Sequence, residues 1–247
     1  MKARFRVFDR PDQVAAAAAE SFAATVDAAL KNQRNAYVAL SGGSTPKLLF
    51  ELLANEYATK LDWLSVEVFF GDERCVPPDH EDSNYRVAKE LLLDRVGIPD
   101  SQIHRMPADA SDLDDAAKKY AGVLRSKLPR SPNGTPTFDL VWLGMGGDGH
   151  TASLFPGTEA LDNQRTLVAA NAVPQLDTNR MTLTYPAINA ARKVQFLVCG
   201  ADKASRMREV QGELDQAIAP TSHPASRVRP AGILEWVLDS AAAVELS

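Results

Sequence analysis

The chain has 247 residues, 45% hydrophobic and 24% charged, with a formal net charge of -5. That length can bury a full core as one large α/β domain or two small ones, and the charge leaves no basic footprint for nucleic acid. No apolar stretch reaches the roughly 18 residues a bilayer span needs. Its two cysteines, Cys75 and Cys199, form no C-x-x-C pair, which argues against a disulfide scaffold and a thiolate metal site.

Strands and helices alternate along the chain, the pattern of a layered α/β domain. Met1 to Val7 runs into Asp9 and Asp12 without a long apolar segment, so no signal peptide is expected and the reading is cytoplasmic. A strand is predicted at Phe5 to Phe8, then an alanine-rich helix from Pro11 to about Asn32. Val14, Phe22, Val26 and Leu30 supply its apolar stripe. Tyr37 to Leu40 reads as a strand, Pro46 to about Tyr57 as a helix, and Val66 to Phe70 as a strand. Ser83 opens a helix to Val96, stopped by Gly97-Ile98-Pro99, and Asp112 to Leu128 is helical. Pro129 to Pro136 is a surface loop too short to link domains, so residues 1–247 read as one domain. Phe138 to Leu143 reads as a strand, apolar but for Asp139, as in a sheet covered on both faces. Strands are expected at Leu167 to Ala170, Met181 to Thr184 and Val194 to Cys199, and a helix from Asp202 to about Glu213. Gly232 to Val244 fits either a strand with a short terminal helix or one amphipathic helix.

Two turns carry chemistry. Ser41-Gly42-Gly43-Ser44-Thr45-Pro46 joins a strand to a helix. Its glycines allow close backbone approach, and Ser44 or Thr45 can serve as N-cap with Pro46 at the first helical position. The helix N-terminus offers free N–H groups to an anion. The Walker spacing is absent, so a nucleoside triphosphate is unsupported.

The second turn, Gly144-Met145-Gly146-Gly147-Asp148-Gly149-His150, imitates the G-x-G-x-x-G dinucleotide fingerprint. Pro156-Gly157 ends any helix within about two turns, and Asp148 would face a pyrophosphate, so that reading fails. The glycines instead free the backbone to present Asp148 and His150 at the carboxyl end of a strand. There a histidine can act as general base, with a carboxylate fixing its tautomer. The other histidines, 80, 104 and 223, lie in loops or beside Pro and Ser, and no such setting is expected for them. No H-E-x-x-H or G-x-S-x-G motif occurs, so neither a metal, a cofactor nor a serine acyl-enzyme is expected.

Leu40 to Pro46, Gly71-Asp72-Glu73-Arg74-Cys75-Val76-Pro77, Ser83-Asn84-Tyr85, Gly144 to Pro156, Arg180-Met181-Thr182-Leu183-Thr184 and Gly200-Ala201-Asp202-Lys203 together resemble the 6-phosphogluconolactonase family. The wider group includes glucosamine-6-phosphate deaminases. The resemblance implies a Rossmann-like layered α/β domain with a mainly parallel central sheet flanked by helices. It also implies hydrolysis of 6-phospho-D-glucono-1,5-lactone to 6-phospho-D-gluconate. It places the catalytic base at His150, with Asp148 orienting it and Arg74 facing the lactone. It puts Arg180, Lys203 and the turn of Ser41, Gly42, Gly43, Ser44 and Thr45 on the substrate. Asp72 matches the base of the deaminating isomerase and is counted with the substrate-binding residues, anchoring Arg74 being one task open to it. The isomerase loop continues Asn-Glu-Pro where this chain has Leu154-Phe155-Pro156, so Phe155 replaces an acid that isomerisation needs. A non-catalytic phosphosugar-sensing domain, the remaining alternative, would need the phosphate turn but not the Asp148–His150 pair. The expected partner is a phosphorylated sugar lactone alone, with no nucleic acid or membrane, bound by a monomer or small homo-oligomer.

Overall fold

A computed structural model describes residues 3–216 and 222–246. In chain order the strands are β1 (Arg4–Phe8), β2 (Ala36–Leu40), β3 (Val66–Phe70), β4 (Asp72–Arg74), β5 (Leu140–Leu143), β6 (Val168–Val173), β7 (Thr178–Leu183), β8 (Lys193–Val198) and β9 (Ile233–Asp239). The α-helices are α1 (Pro11–Lys31), α2 (Ser44–Glu56), α3 (Asn84–Leu91), α4 (Leu113–Lys127), α5 (Tyr185–Asn189) and α6 (Ala204–Gln216). Six strands form a wholly parallel sheet in the order β1-β9-β8-β5-β2-β3, the Rossmann-like arrangement the sequence implies.

Hydrophobic strands buried on both faces explain the parallel sheet. All residues of β3 and of β5 are buried. The alanines of α1 lie against the core, with Ala15, Ala18 and Ala19 at 2% exposure or less. Small side chains let the helix approach closely, so larger groups interdigitate beside them. Phe22 fills that space between Trp63 and Trp142, at ring-centroid distances of 5.4 and 5.5 Å. Truncating it to alanine would cost about 3–5 kcal/mol. On the far side of β8, Phe196 stacks on Trp236 at 3.8 Å.

The strand order reverses between β2 and β5. From β2 the chain moves outward to β3, and from β5 it moves the other way to β8 and β9. Parallel strands diverging this way leave a crevice at their carboxyl ends, where ligands bind in such folds. The two glycine-rich turns leave the sheet there, after Leu40 and after Leu143.

Two features differ from expectation. Residues 72–74 are a strand, and β4-β7-β6 form a separate antiparallel sheet. Three residues are too few to show alternation, so β4 exists through its pairing with β7. The ambiguous segment resolves to β9, paired along its length with β8, and turns follow it in place of a terminal helix. Those turns are closed by Asp239, which accepts the Ala242 N–H at 2.8 Å. One residue joins the sheets: the Gly71 N–H donates to Leu40 O at 2.8 Å, and Gly71 O accepts from Leu183 N at 2.8 Å.

Candidate active site

The first turn is built on Gly43, not on a hydroxyl cap. Gly43 occupies the N-cap position at φ 113°, ψ 177°, with no side-chain cap bond, and α2 begins at Ser44. Positive φ is strained for any residue with a Cβ, which explains the glycine. Ser44 and Thr45 therefore stand inside the first turn, and Pro46 occupies its third position rather than its first. Lys47 N–H makes the first bond back to Gly43 O, at 3.3 Å, so the preceding amides are free of the helix ladder. At Gly42 a Cβ would meet Asn84 Oδ1 at 1.8 Å.

The second turn folds back on itself. Gly146 N–H donates to His150 O at 2.9 Å, and Gly149, at φ 80°, donates to Gly146 O at 3.0 Å. Asp148 Oδ1 accepts both the His150 N–H, at 3.0 Å, and His150 Nδ1, at 2.6 Å. A carboxylate acceptor assigns the proton to Nδ1, and no group among the described residues bonds Nε2. Burial pushes the Asp148 carboxyl up, but the His150 amide and ring outweigh it and hold it below the usual carboxylate range. Phe155 stacks on the imidazole at 4.0 Å and 28°. A Cβ on Gly146 would strike His150 Nδ1 at 2.1 Å, so the ring lies where only glycine leaves room.

The antiparallel sheet supplies the cations. Its register sets Arg74 opposite Arg180 and Asp72 opposite Thr182. Arg74 donates to Asp82 O at 2.5 Å, and Arg180 to Thr178 Oγ1 at 2.9 Å and Asn179 O at 3.1 Å. Burial and then the charge of Arg74 push the Arg180 guanidinium down from its ordinary value. Lys203 arrives from the turn after β8 and pairs with Asp202 at 2.9 Å.

Asp72 does not anchor Arg74. Its carboxylate accepts from Ser153 Oγ at 2.7 Å and Asn84 Nδ2 at 3.2 Å. Asn84 is placed in turn by Glu73, a buried carboxylate that accepts the amides of Arg74, Asn84 and Tyr85, each at 2.8 Å. Burial pushes the Glu73 carboxyl up against those three bonds. Glu73 thus receives the N-terminus of α3, the favoured place for an anion.

These walls enclose a cavity of about 350 Å³. It brings together Ser41, Gly42, Gly43, Ser44, Thr45, Asp72, Arg74, His150, Arg180 and Lys203, while Asp148 stands behind His150 and outside the lining. The three histidines expected to lack carboxylate partners have them: His80 lies 3.7 Å from Asp82, two positions on, and the other two find theirs through the fold. His104 Nε2 meets Glu67 Oε2 at 2.5 Å, and His223 Nδ1 meets Glu213 Oε1 at 2.8 Å. Both partners lie on other elements of the chain, so local sequence context held no sign of them. Neither histidine lines the cavity.

Residues 9–236 match the family of glucosamine-6-phosphate isomerases and 6-phosphogluconolactonases. The chain belongs to this family. Among its relatives, a 6-phosphogluconolactonase of Nostoc sp. is 44% identical over 240 residues, 96% of each chain. One from Mycobacterium tuberculosis is 36% identical, covering 100% of this chain and 99% of its own. The solved 6-phosphogluconolactonase of Trypanosoma brucei superposes with a TM-score of 0.86 at 31% identity, covering 100% of this chain and 99% of that one.

Within the family frame, the structure adds residues that the sequence reading did not assign to the site. Asn84, Ser153 and Phe155 line the cavity, and Glu73 supports it from behind. Asn84, Ser153 and Phe155 all stand inside segments that carry the resemblance, which was the available signal. The Ser153–Asp72 bond spans 81 positions and had none.

Proposed function

We propose that this protein hydrolyses 6-phospho-D-glucono-1,5-lactone to 6-phospho-D-gluconate, the second step of the oxidative pentose phosphate pathway, with His150 as general base. The observation that carries the reading is the His150 imidazole, oriented through Nδ1 by Asp148 at 2.6 Å on a cavity that Arg74, Arg180, Lys203 and the Ser41–Thr45 turn also line.

His150 Nε2 takes a proton from water as the water oxygen attacks the lactone C1. The carbonyl electron pair moves onto oxygen, where the Arg74 guanidinium or a backbone N–H stabilises it. Collapse of the tetrahedral anion breaks the bond to the ring oxygen, which takes the proton from His150 and leaves as a hydroxyl. A general base contributes about 10²–10⁴-fold to such a step. A lactone is already a reactive ester, so no metal or covalent nucleophile is required.

Arg180, Lys203 and the free amides of the Ser41–Thr45 turn hold the phosphate. A dianion needs placed cations and oriented donors, and arginine offers a planar fork for it. Asp72, a buried carboxylate facing the cavity, accepts a sugar hydroxyl. The alternative within the family, deamination of glucosamine 6-phosphate, lacks its acid here: Phe155 lies against His150 in that place.

We read residues 1–247 as one cytoplasmic domain acting on this small anion alone, without nucleic acid, as a monomer or small homo-oligomer. The net charge of -5 and the two isolated cysteines support that reading. No described helix is long and apolar enough to cross a membrane.

Lactone hydrolysis by wild type and His150→Ala tests the proposal. The expected result is turnover reduced about 10²–10⁴-fold in the variant. Unchanged turnover would remove His150 from the role, and ammonia released from glucosamine 6-phosphate would assign the isomerase reaction instead.

A further inference from the structure

A second histidine flanked by carboxylates lies directly beneath the Gly146–His150 turn. His223 is 9% exposed. Its Nδ1 is 2.8 Å from Glu213 Oε1, and its Nε2 is 2.5 Å from Arg206 Nη1 and 3.2 Å from Glu209 Oε2. Arg206 also pairs with Glu209 on the same helix. A guanidinium only donates, so Nε2 accepts from Arg206 and Nδ1–H donates to Glu213. Glu213 further accepts the Ser222 amide at 2.9 Å, the His223 amide at 3.3 Å and the Ser226 hydroxyl. Arg229 reaches the same helix, donating to Glu213 O at 3.5 Å.

Two bonds run from this assembly to the turn above. Arg206 Nε donates to Gly147 O at 2.9 Å, and Ala225 N–H donates to Gly149 O at 2.9 Å. The imidazole of His223 lies flush against the same backbone, for a Cβ on Gly149 would meet it at 2.7 Å. Gly147 and Gly149 bracket Asp148, whose carboxylate orients His150. A segment this rich in glycine has little conformational preference of its own, so its position must come from what it touches.

We infer that Arg206 and His223 are positioning residues for the Asp148–His150 pair, fixing the turn through the Gly147 carbonyl and the Gly149 peptide. The guanidinium bridges the two levels: one nitrogen is held by His223 and Glu209, another holds the turn. The inference rests on His150 being the base, and it adds the device that keeps the base aligned. Neither residue lines the cavity, so loss of the strut alters the alignment of the base and not the hold on the phosphate.

The test compares Arg206→Ala, Arg206→Lys and His223→Ala with Arg208→Ala, an exposed neighbour on α6 that pairs with Glu245. In Arg206→Ala, kcat is expected to fall about 10- to 100-fold, the cost of a small misplacement of a catalytic group. KM should stay within about two-fold, because phosphate binding is untouched. Lysine should restore part of kcat by donating to Gly147 O, and Arg208→Ala should match wild type. The low-field NMR signal of the His150 Nδ1 proton should shift or broaden in Arg206→Ala and return in Arg206→Lys. Wild-type kcat with an unchanged proton signal in folded Arg206→Ala would overturn the inference, even if its melting temperature dropped. If His223→Ala does not fold, Arg206→Ala, whose side chain is partly solvent-exposed, still decides the matter. An inactive His150→Ala beside a fully active Arg206→Ala defeats the strut alone. An active His150→Ala defeats the choice of base, and the proton signal then reports on the strut independently.

Discussion

Arg74 stands opposite Arg180 across the β4–β7 ladder, and neither forms an ion pair among the described residues. Like charges facing each other in a sheet are destabilising. Here the repulsion is visible in Arg180, whose guanidinium is pushed down by burial and by Arg74. An anion bound between or beside them would relieve that cost.

Replacing Arg180 with alanine should therefore weaken binding without weakening the fold. Charge-assisted hydrogen bonds to a phosphate contribute about 1.5–3 kcal/mol, so the product affinity should fall roughly 10- to 100-fold. The melting temperature without ligand should hold or rise. Calorimetric titration with 6-phosphogluconate alongside thermal unfolding checks both, and a large loss of stability without ligand would contradict the account.

Gly146 and Gly147 are adjacent glycines with opposite tolerances. A Cβ at Gly146 meets the His150 ring at 2.1 Å, whereas at Gly147 nothing lies within 4 Å. Gly146→Ala should displace the imidazole and lower kcat by about 10²-fold with little change in KM. Gly147→Ala should retain most activity. Steady-state kinetics on the pair decide it, and equal kinetics in the two variants would mean that the ring does not need this place.

The Asp148 carboxyl is held below the usual carboxylate range in the folded protein. A group depressed on folding stabilises above its unfolded value and loses that contribution as pH falls through the lowered folded value. Asp148 thus remains charged in mild acid, and its protonation should not limit kcat/KM there. In Asp148→Asn kcat should fall, because the amide carries no charge to stabilise the protonated ring that forms during the reaction. Wild-type kcat in that variant would separate Asp148 from the base.

Glu73 accepts three backbone amides while almost fully buried. Glu73→Ala leaves those donors without a partner, at a cost of about 1–3 kcal/mol. It also frees Asn84, and with it Asp72. Denaturant unfolding should show the stability loss, and KM should rise with it. A variant as stable as wild type would show that water replaces the carboxylate.

The main sheet was legible because its strands carry their own signal. Leu140 to Leu143 is a continuous apolar run, and Val66 to Phe70 and Val194 to Val198 are each apolar but for one residue, Glu67 and Gln195, the composition of strands in a sheet covered on both faces. The two turns were legible for a related reason: glycine in numbers after a strand marks backbone that must bend or approach something. What stayed hidden depends on partners far along the chain. β4 is a strand only because β7 lies beside it, and its side chains show no alternation to read. His104 and His223 sit in stretches without a carboxylate of their own, and Glu67 and Glu213 reach them through the fold. The N-cap of α2 was misplaced because hydroxyl residues usually fill that position. Here the backbone adopts a positive φ that Gly43 alone tolerates.

Gly71 donates its amide to the last residue of β2 and offers its carbonyl to the last residue of β7. The phosphate turn grows from the first of these attachment points, and the arginine pair hangs from the second. A single residue therefore ties together two walls of the cavity, one on each sheet. A substitution that breaks either bond at Gly71 would move the Ser41–Thr45 turn and the arginine pair relative to each other.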